Sequence, residues 1–106
     1  MSSAKDNALN KARKLIKLLN LNGIEVSEAY LFGSVTRGTA HNNSDIDIAI
    51  VSKNFTGIPF YDVQTISKYR RSIDLKLEVH PFSMDDILVD APLFFIQIRN
   101  EGIRII

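Results

Sequence analysis

In the stretch SDIDIAI, residues 44–50, two aspartates alternate with isoleucines. Successive side chains of an extended strand point to opposite faces, so Asp45 and Asp47 share one face while Ile46 and Ile48 take the other. Two carboxylates this close repel each other, and burying the pair without a counter-charge is costly. A cation is therefore expected beside them, and oxygen-only ligands at an open position suit Mg²⁺ or Mn²⁺. Aspartate is also a poor strand former, and conflicts between local propensity and position tend to fall at functional sites. The competing reading is a pair of solvated carboxylates on an antiparallel strand, and the turn upstream weighs against it.

That turn is Gly33-Ser34, which closes the apolar run AYLF. Backbone N–H groups and a hydroxyl at such a turn can hold a phosphate, and the missing glycine side chain lets the ligand approach. A Gly-Ser turn alone says little. Ten residues separate Ser34 from Asp45, however, and the combined pattern G-S-x10-D-x-D resembles the signature of the DNA polymerase beta-like nucleotidyltransferase superfamily. Within it, the short length and the form GSVTRGTAHNNSDIDIAI resemble the minimal nucleotidyltransferases, the usual partners of helical HEPN proteins.

The resemblance implies transfer of a nucleoside monophosphate from an NTP, ATP in the first instance, to a hydroxyl acceptor with loss of pyrophosphate. It implies two Mg²⁺ ions, with Mn²⁺ as the alternative, held by three carboxylates, of which Asp45 and Asp47 are two. Gly33, Ser34, Arg37 and Ser44 are the residues assigned to the NTP. The Arg37 guanidinium has the fork geometry that suits phosphate oxygens, an unengaged surface arginine being the other reading.

For the third carboxylate, IDLKLEVHPF offers Asp74 and Glu78, read as lying on one face of a third strand. EVHPFS resembles the family segment in which an acid is followed closely by proline and a short helix, which favours Glu78, with Asp74 as the alternative. In the family this carboxylate can also serve as general base. The acid not so used is expected to be a solvated strand carboxylate. The resemblance further implies a HEPN-type protein partner, with this chain as the antitoxin of a toxin–antitoxin pair that adenylylates its toxin. A module that only masks such a partner, without turnover, is the alternative, and a homo-oligomer is a second form of association.

The elements that must position these residues follow from periodicity. Ala8, Ala12, Leu15, Ile16 and Leu19 recur at one-face helical spacing from about Lys5 to Leu21, and Asn22-Gly23 stops the helix. VSEAYLF and DIDIAIVS read as strands, Pro59 to Arg71 as a helix, and SIDLKLEVH as a strand with clean alternation. SMDDILV reads as a short helix whose Ser83 and Asp86 have capping-box spacing. A last helix starts near Pro92 and ends near Gly102, leaving IRII as a closing strand. The sum is an α/β (α+β) chain: a mixed sheet flanked by helices, one nucleotidyltransferase domain over residues 1–106.

Composition narrows the function further. The chain has 106 residues, a net charge of +1 and no cysteine, which argues against a bulk field for nucleic acid or membrane, against thiolate chemistry, and for a cytoplasmic setting. No apolar leader or membrane span is evident. Lys11, Arg13, Lys14 and Lys17 form the polar face of the first helix, read as a solvated face rather than a phosphate-binding one. His41 and His80 lack metal-ligand spacing; His80, beside the third acid, reads as a structural residue first and a substrate contact second. Tyr30 is expected in the core. The run with Phe94, Phe95, Ile96 and Ile98 is expected to pack under the sheet, a partner interface being the minority reading.

Overall fold

The computed structural model describes residues 3–38 and 44–106, so His41 lies outside the described residues. Helix α1 (Ala4–Leu21) starts at Ser3, whose side chain accepts from the Asp6 N–H at 3.1 Å, a standard N-cap. Its buried residues are the five predicted from spacing: Ala8, Ala12, Leu15, Ile16 and Leu19. Strand β1 (Glu28–Phe32) leads through Gly33 into the one-turn helix α2 (Ser34–Arg37). Strand β2 (Ile46–Ser52) is followed by α3 (Pro59–Ile73), β3 (Leu77–Ser83), α4 (Met84–Asp90), α5 (Leu93–Glu101) and the short β4 (Ile103–Arg104).

The sheet is four-stranded with order β3-β2-β1-β4. It is mixed, as expected: β1 runs antiparallel to β2 and β4, whereas β2 and β3 are parallel and are joined by the α3 crossover. A parallel pair needs such a long connection. One face carries Leu31, Ile46, Ile48, Ile50 and Leu77 against α1 and Ile66 of α3. On the opposite face Tyr30, Ala49 and Val51 pack with Phe95 and Ile98 of α5. The predicted alternation of β2 is therefore real, and it sets which side chains reach the site.

The third strand differs from the sequence expectation. It begins at Leu77 rather than Ser72, because α3 continues to Ile73 and Asp74 caps its end. The alternation of SIDLKLEVH does not carry through: Leu75 is 72% exposed, whereas Ile73 packs against the core as the last helical residue. Asp74 and Glu78 thus do not share a strand face, which corrects that reading.

The other boundaries agree closely. Pro59 opens α3, Ser83 caps α4 by accepting from the Asp86 N–H at 3.1 Å, and Gly102 ends α5. The α5 run splits: Phe95 and Ile98 are core, while Leu93 and Phe94 are exposed. At the start of α3 the buried carboxylate of Asp62 accepts from the N–H groups of Thr56 and Gly57 at 2.8 and 3.0 Å and from the Thr56 hydroxyl at 2.9 Å. Asp62 thereby closes the loop that leads β2 into the crossover.

Candidate metal and nucleotide site

The site forms where the parallel pair β2–β3 meets the β1–α2 turn. In register, Asp47 stands opposite Glu78 on β3 and opposite Phe32 on β1. Glu78 and His80, two residues apart on β3, present their side chains to the same face as Asp47. Ligand atoms of Asp47, Glu78 and His80 all lie within 4.8 Å of one another. Asp47 is half-buried and Glu78 exposed, so the cluster opens to solvent.

Gly33 is fitted to this carboxylate. Its backbone has φ 77°, a region that side chains with a Cβ rarely enter, and a Cβ placed there would collide with the Asp47 carboxylate. The Thr36 hydroxyl donates to the Gly33 carbonyl at 2.8 Å, and the Thr36 and Arg37 N–H groups bond the same oxygen, which locks the turn. Two requirements, a left-handed backbone and close approach, thus fall on one residue.

Two clefts flank the cluster. One, of about 380 Å³, is lined by Gly33, Thr36, Arg37, Asp47 and the rings of Phe32 and Phe94. The other, of about 390 Å³, runs along the edge of β3 beside α3 and includes Asp45, Ser67, Arg70, Lys76, Glu78 and His80. Arg70 is committed to structure: its guanidinium donates to the carbonyls of Leu75 and Leu77 at 3.0 and 3.3 Å, holding the turn into β3. Both clefts are open, as the size of the chain predicts.

Of the residues singled out from sequence, the fold brings Asp47 and Glu78 together and sets Gly33 against Asp47. Asp45 lies just before β2, exposed, at the mouth of the second cleft. Among the described residues it is not part of the group of donors within 4.8 Å. Ser34 opens α2, Arg37 is exposed at its end, and Ser44 is half-buried just before Asp45. Asp74 is elsewhere: it pairs with Lys11 of α1 and accepts from the Lys76 N–H at 2.8 Å. The hydrogen bond from Lys11, followed by that from Lys76, holds the Asp74 carboxyl below its ordinary range. Lys11 therefore belongs to a structural pair rather than to a solvated face.

The sequence reading did not group His80 with Asp47 and Glu78, where the fold places it. The signal for it was the spacing Glu-x-His on a strand, which puts both side chains on one face; the helical spacing H-x3-H is not the only one that converges.

A mixed sheet, a glycine turn pressed onto a strand aspartate and a facing acid are what the fold brings together here. Residues 13–106 match the family described as Polymerase beta, Nucleotidyltransferase. The chain belongs to that family, as a minimal nucleotidyltransferase. It is 54% identical over 39 residues to the protein adenylyltransferase MntA of Shewanella oneidensis, a match covering 37% of this chain and 28% of that protein.

Among solved structures, one from Sulfolobus solfataricus, described as a candidate nucleotidyltransferase, superposes with a TM-score of 0.68. It is 17% identical, over 98% of this chain and 87% of the other, and shows the shared fold. A structure of a toxin-antitoxin with AMP-PNP superposes with a TM-score of 0.54 at 27% identity, over 91% of this chain and 70% of that one. Among the described residues, no helix is long and apolar enough to cross a membrane.

Proposed function

We propose that this chain transfers AMP from ATP to a hydroxyl of a partner protein, with Asp45, Asp47 and Glu78 as its catalytic carboxylates. The observation that carries the reading is the cross-strand pair Asp47–Glu78 beside Gly33, an arrangement with oxygen donors open to solvent. In the transfer, the acceptor oxygen bonds to the α-phosphorus, the bond to the β-phosphate breaks, and pyrophosphate leaves. The acceptor proton passes to Glu78, the exposed acid of the pair.

The donor set fits a divalent cation: hard oxygens of Asp47 and Glu78 converge at an accessible position. Asp45, Asp47 and Glu78 would hold Mg²⁺, two ions by family resemblance, and when bound these polarise the phosphoryl group and neutralise its charge. The nucleotide lies in the cleft of Gly33 and Arg37, where the bare glycine admits the triphosphate and the Arg37 fork meets its oxygens. Ser34 and Ser44 add hydroxyl contacts. The acceptor enters from the cleft beside α3, so the two substrates meet across the carboxylates.

A partner is supported by exposed apolar residues around the α4–α5 junction: Leu88, Val89, Leu93 and Phe94. The toxin-antitoxin structure that superposes on this chain agrees with such a pairing. By family resemblance the partner is a HEPN-type toxin, and the chain is its antitoxin.

Calorimetry of ATP, GTP, CTP and UTP with Mg²⁺ tests the reading, on wild type and on an Asp45→Asn, Asp47→Asn double variant. Metal-dependent ATP binding that the variant loses is the expected result. No NTP binding by wild type, with the partner still retained, would leave a masking module without turnover.

A further inference from the structure

The Nε2 atom of His80 is buried and, among the described residues, has no hydrogen-bond partner. A buried polar atom left unpaired is costly, so such an atom calls for a ligand. The nearest group is Asp47: Nε2 lies 3.5 Å from Oδ1, too far for a hydrogen bond and close enough for both to face one ion. Packing fixes the ring. It stands edge-on to Phe32 at 5.0 Å and to Phe94 at 5.8 Å between centroids, so the nitrogen is held toward the carboxylates.

We infer that His80 supplies a nitrogen donor to the same divalent ion that Asp47 and Glu78 bind, making this a mixed nitrogen–oxygen site that favours Mn²⁺ over Mg²⁺. The inference rests on the metal reading of the carboxylate pair and adds a ligand to it. Metal–nitrogen and metal–oxygen bonds of about 2.0–2.2 Å place donors around one ion roughly 3–4.4 Å apart. The observed group, within 4.8 Å, needs only a slight contraction to close on an ion. Mn²⁺ shares the oxygen preference of Mg²⁺ and is the weakest binder of the first-row series, yet as a transition ion it takes an imidazole donor more readily than Mg²⁺, which prefers oxygen alone and keeps its waters. Strand geometry makes the set possible: Glu78 and His80 are neighbours on one face of β3, and parallel register brings Asp47 to them.

Mn²⁺ binding to the full chain without nucleotide provides the test, followed by calorimetry and by pulsed electron paramagnetic resonance. Without nucleotide, no base nitrogen can contribute a signal. The expected result is Mn²⁺ binding at least tenfold tighter than Mg²⁺, with ¹⁴N coupling from one directly bound imidazole. That coupling should vanish in His80→Gln, and the Mn²⁺ preference should shrink, while thermal melts confirm that the variant is folded. The wild-type coupling decides the matter even if the variant does not fold. Mn²⁺ binding that Asp47→Asn abolishes, but without nitrogen coupling, would overturn the role of His80 and leave the carboxylate site standing. Failure of wild type to bind Mn²⁺ at all would overturn both.

Discussion

On one face of the sheet, Ile46, Ile48 and Ile50 lie under α1 and α3 in a closed apolar layer; on the other, the chain runs from exposed Asp45, just before β2, through half-buried Asp47 to fully buried Ala49 and Val51. The gradient along this stretch follows its cover. Phe95 and Ile98 of α5 pack on Ala49 and Val51, whereas Asp47 faces an open cleft with Phe94 and Ile98 of the same helix along its wall. The closed face thus holds the larger apolar core, and the candidate site sits at the open end of the other face.

Paired substitutions can break this division. Asp47→Asn should lower nucleotidyl transfer by on the order of 10³-fold, since metal stabilisation of a phosphoryl transition state is worth several kcal/mol and each 1.36 kcal/mol is tenfold. Its melting temperature should stay near that of wild type. Leu15→Ala, on the closed face, should cost about 2–5 kcal/mol, a drop of roughly 10 °C or more in a domain this small, with transfer per folded molecule retained. Differential scanning calorimetry beside a transfer assay reads both. An Asp47 variant that unfolds, or a folded Leu15 variant that is inactive, would dissolve the contrast between the faces.

Two aspartates sharpen it further. Asp62 is 2% exposed and accepts three hydrogen bonds from its own loop, whereas Asp47 faces an open cleft. Asp62→Ala leaves the donors of Thr56 and Gly57 unpaired, and hydrogen bonds to a charged acceptor are worth about 1.5–3 kcal/mol each. Urea denaturation should show a loss of that order, while Mn²⁺ and ATP binding by the folded variant stay unchanged. A change in metal affinity would mean that the crossover loop helps to shape the site.

Much of this was legible in the sequence because the signals were local. The helical spacing of α1, the alternation of β2 and the cap at Ser83 follow from backbone periodicity and capping chemistry, whereas the packing of Gly33 against Asp47 emerged only in the fold. What escaped was decided by tertiary structure. Whether residues 72–76 continue a helix or start a strand depends on α3 packing Ile73 inward and leaving Leu75 outside, and the alternating pattern IDLKL fits either outcome. The proximity of His80 to Asp47 escaped because it depends on the parallel register that carries Asp47 alongside β3, and register is not visible in one strand alone.

The smallest effect concerns the two acids between which the sequence could not decide. Asp74 is tied to Lys11, with side chains 19% and 25% exposed, so the pair is partly screened and is worth about 0.2–1 kcal/mol. Its folded carboxyl is held below the usual value, first by the Lys11 hydrogen bond and then by the Lys76 N–H. A depressed folded pKa contributes stability that is present above the unfolded value near 3.9 and is lost as pH falls through the folded value. Urea midpoints of wild type and Lys11→Ala should therefore differ at pH 7 and converge once the pH has fallen through the lowered folded value of Asp74. Since every other carboxylate titrates in both proteins, the difference isolates this pair. A difference that is the same at both pH values would show that the contact is not ionic, and would return Asp74 to competition with Glu78; convergence confines Asp74 to joining α1 to the end of α3 and leaves the face beside Asp47 to Glu78.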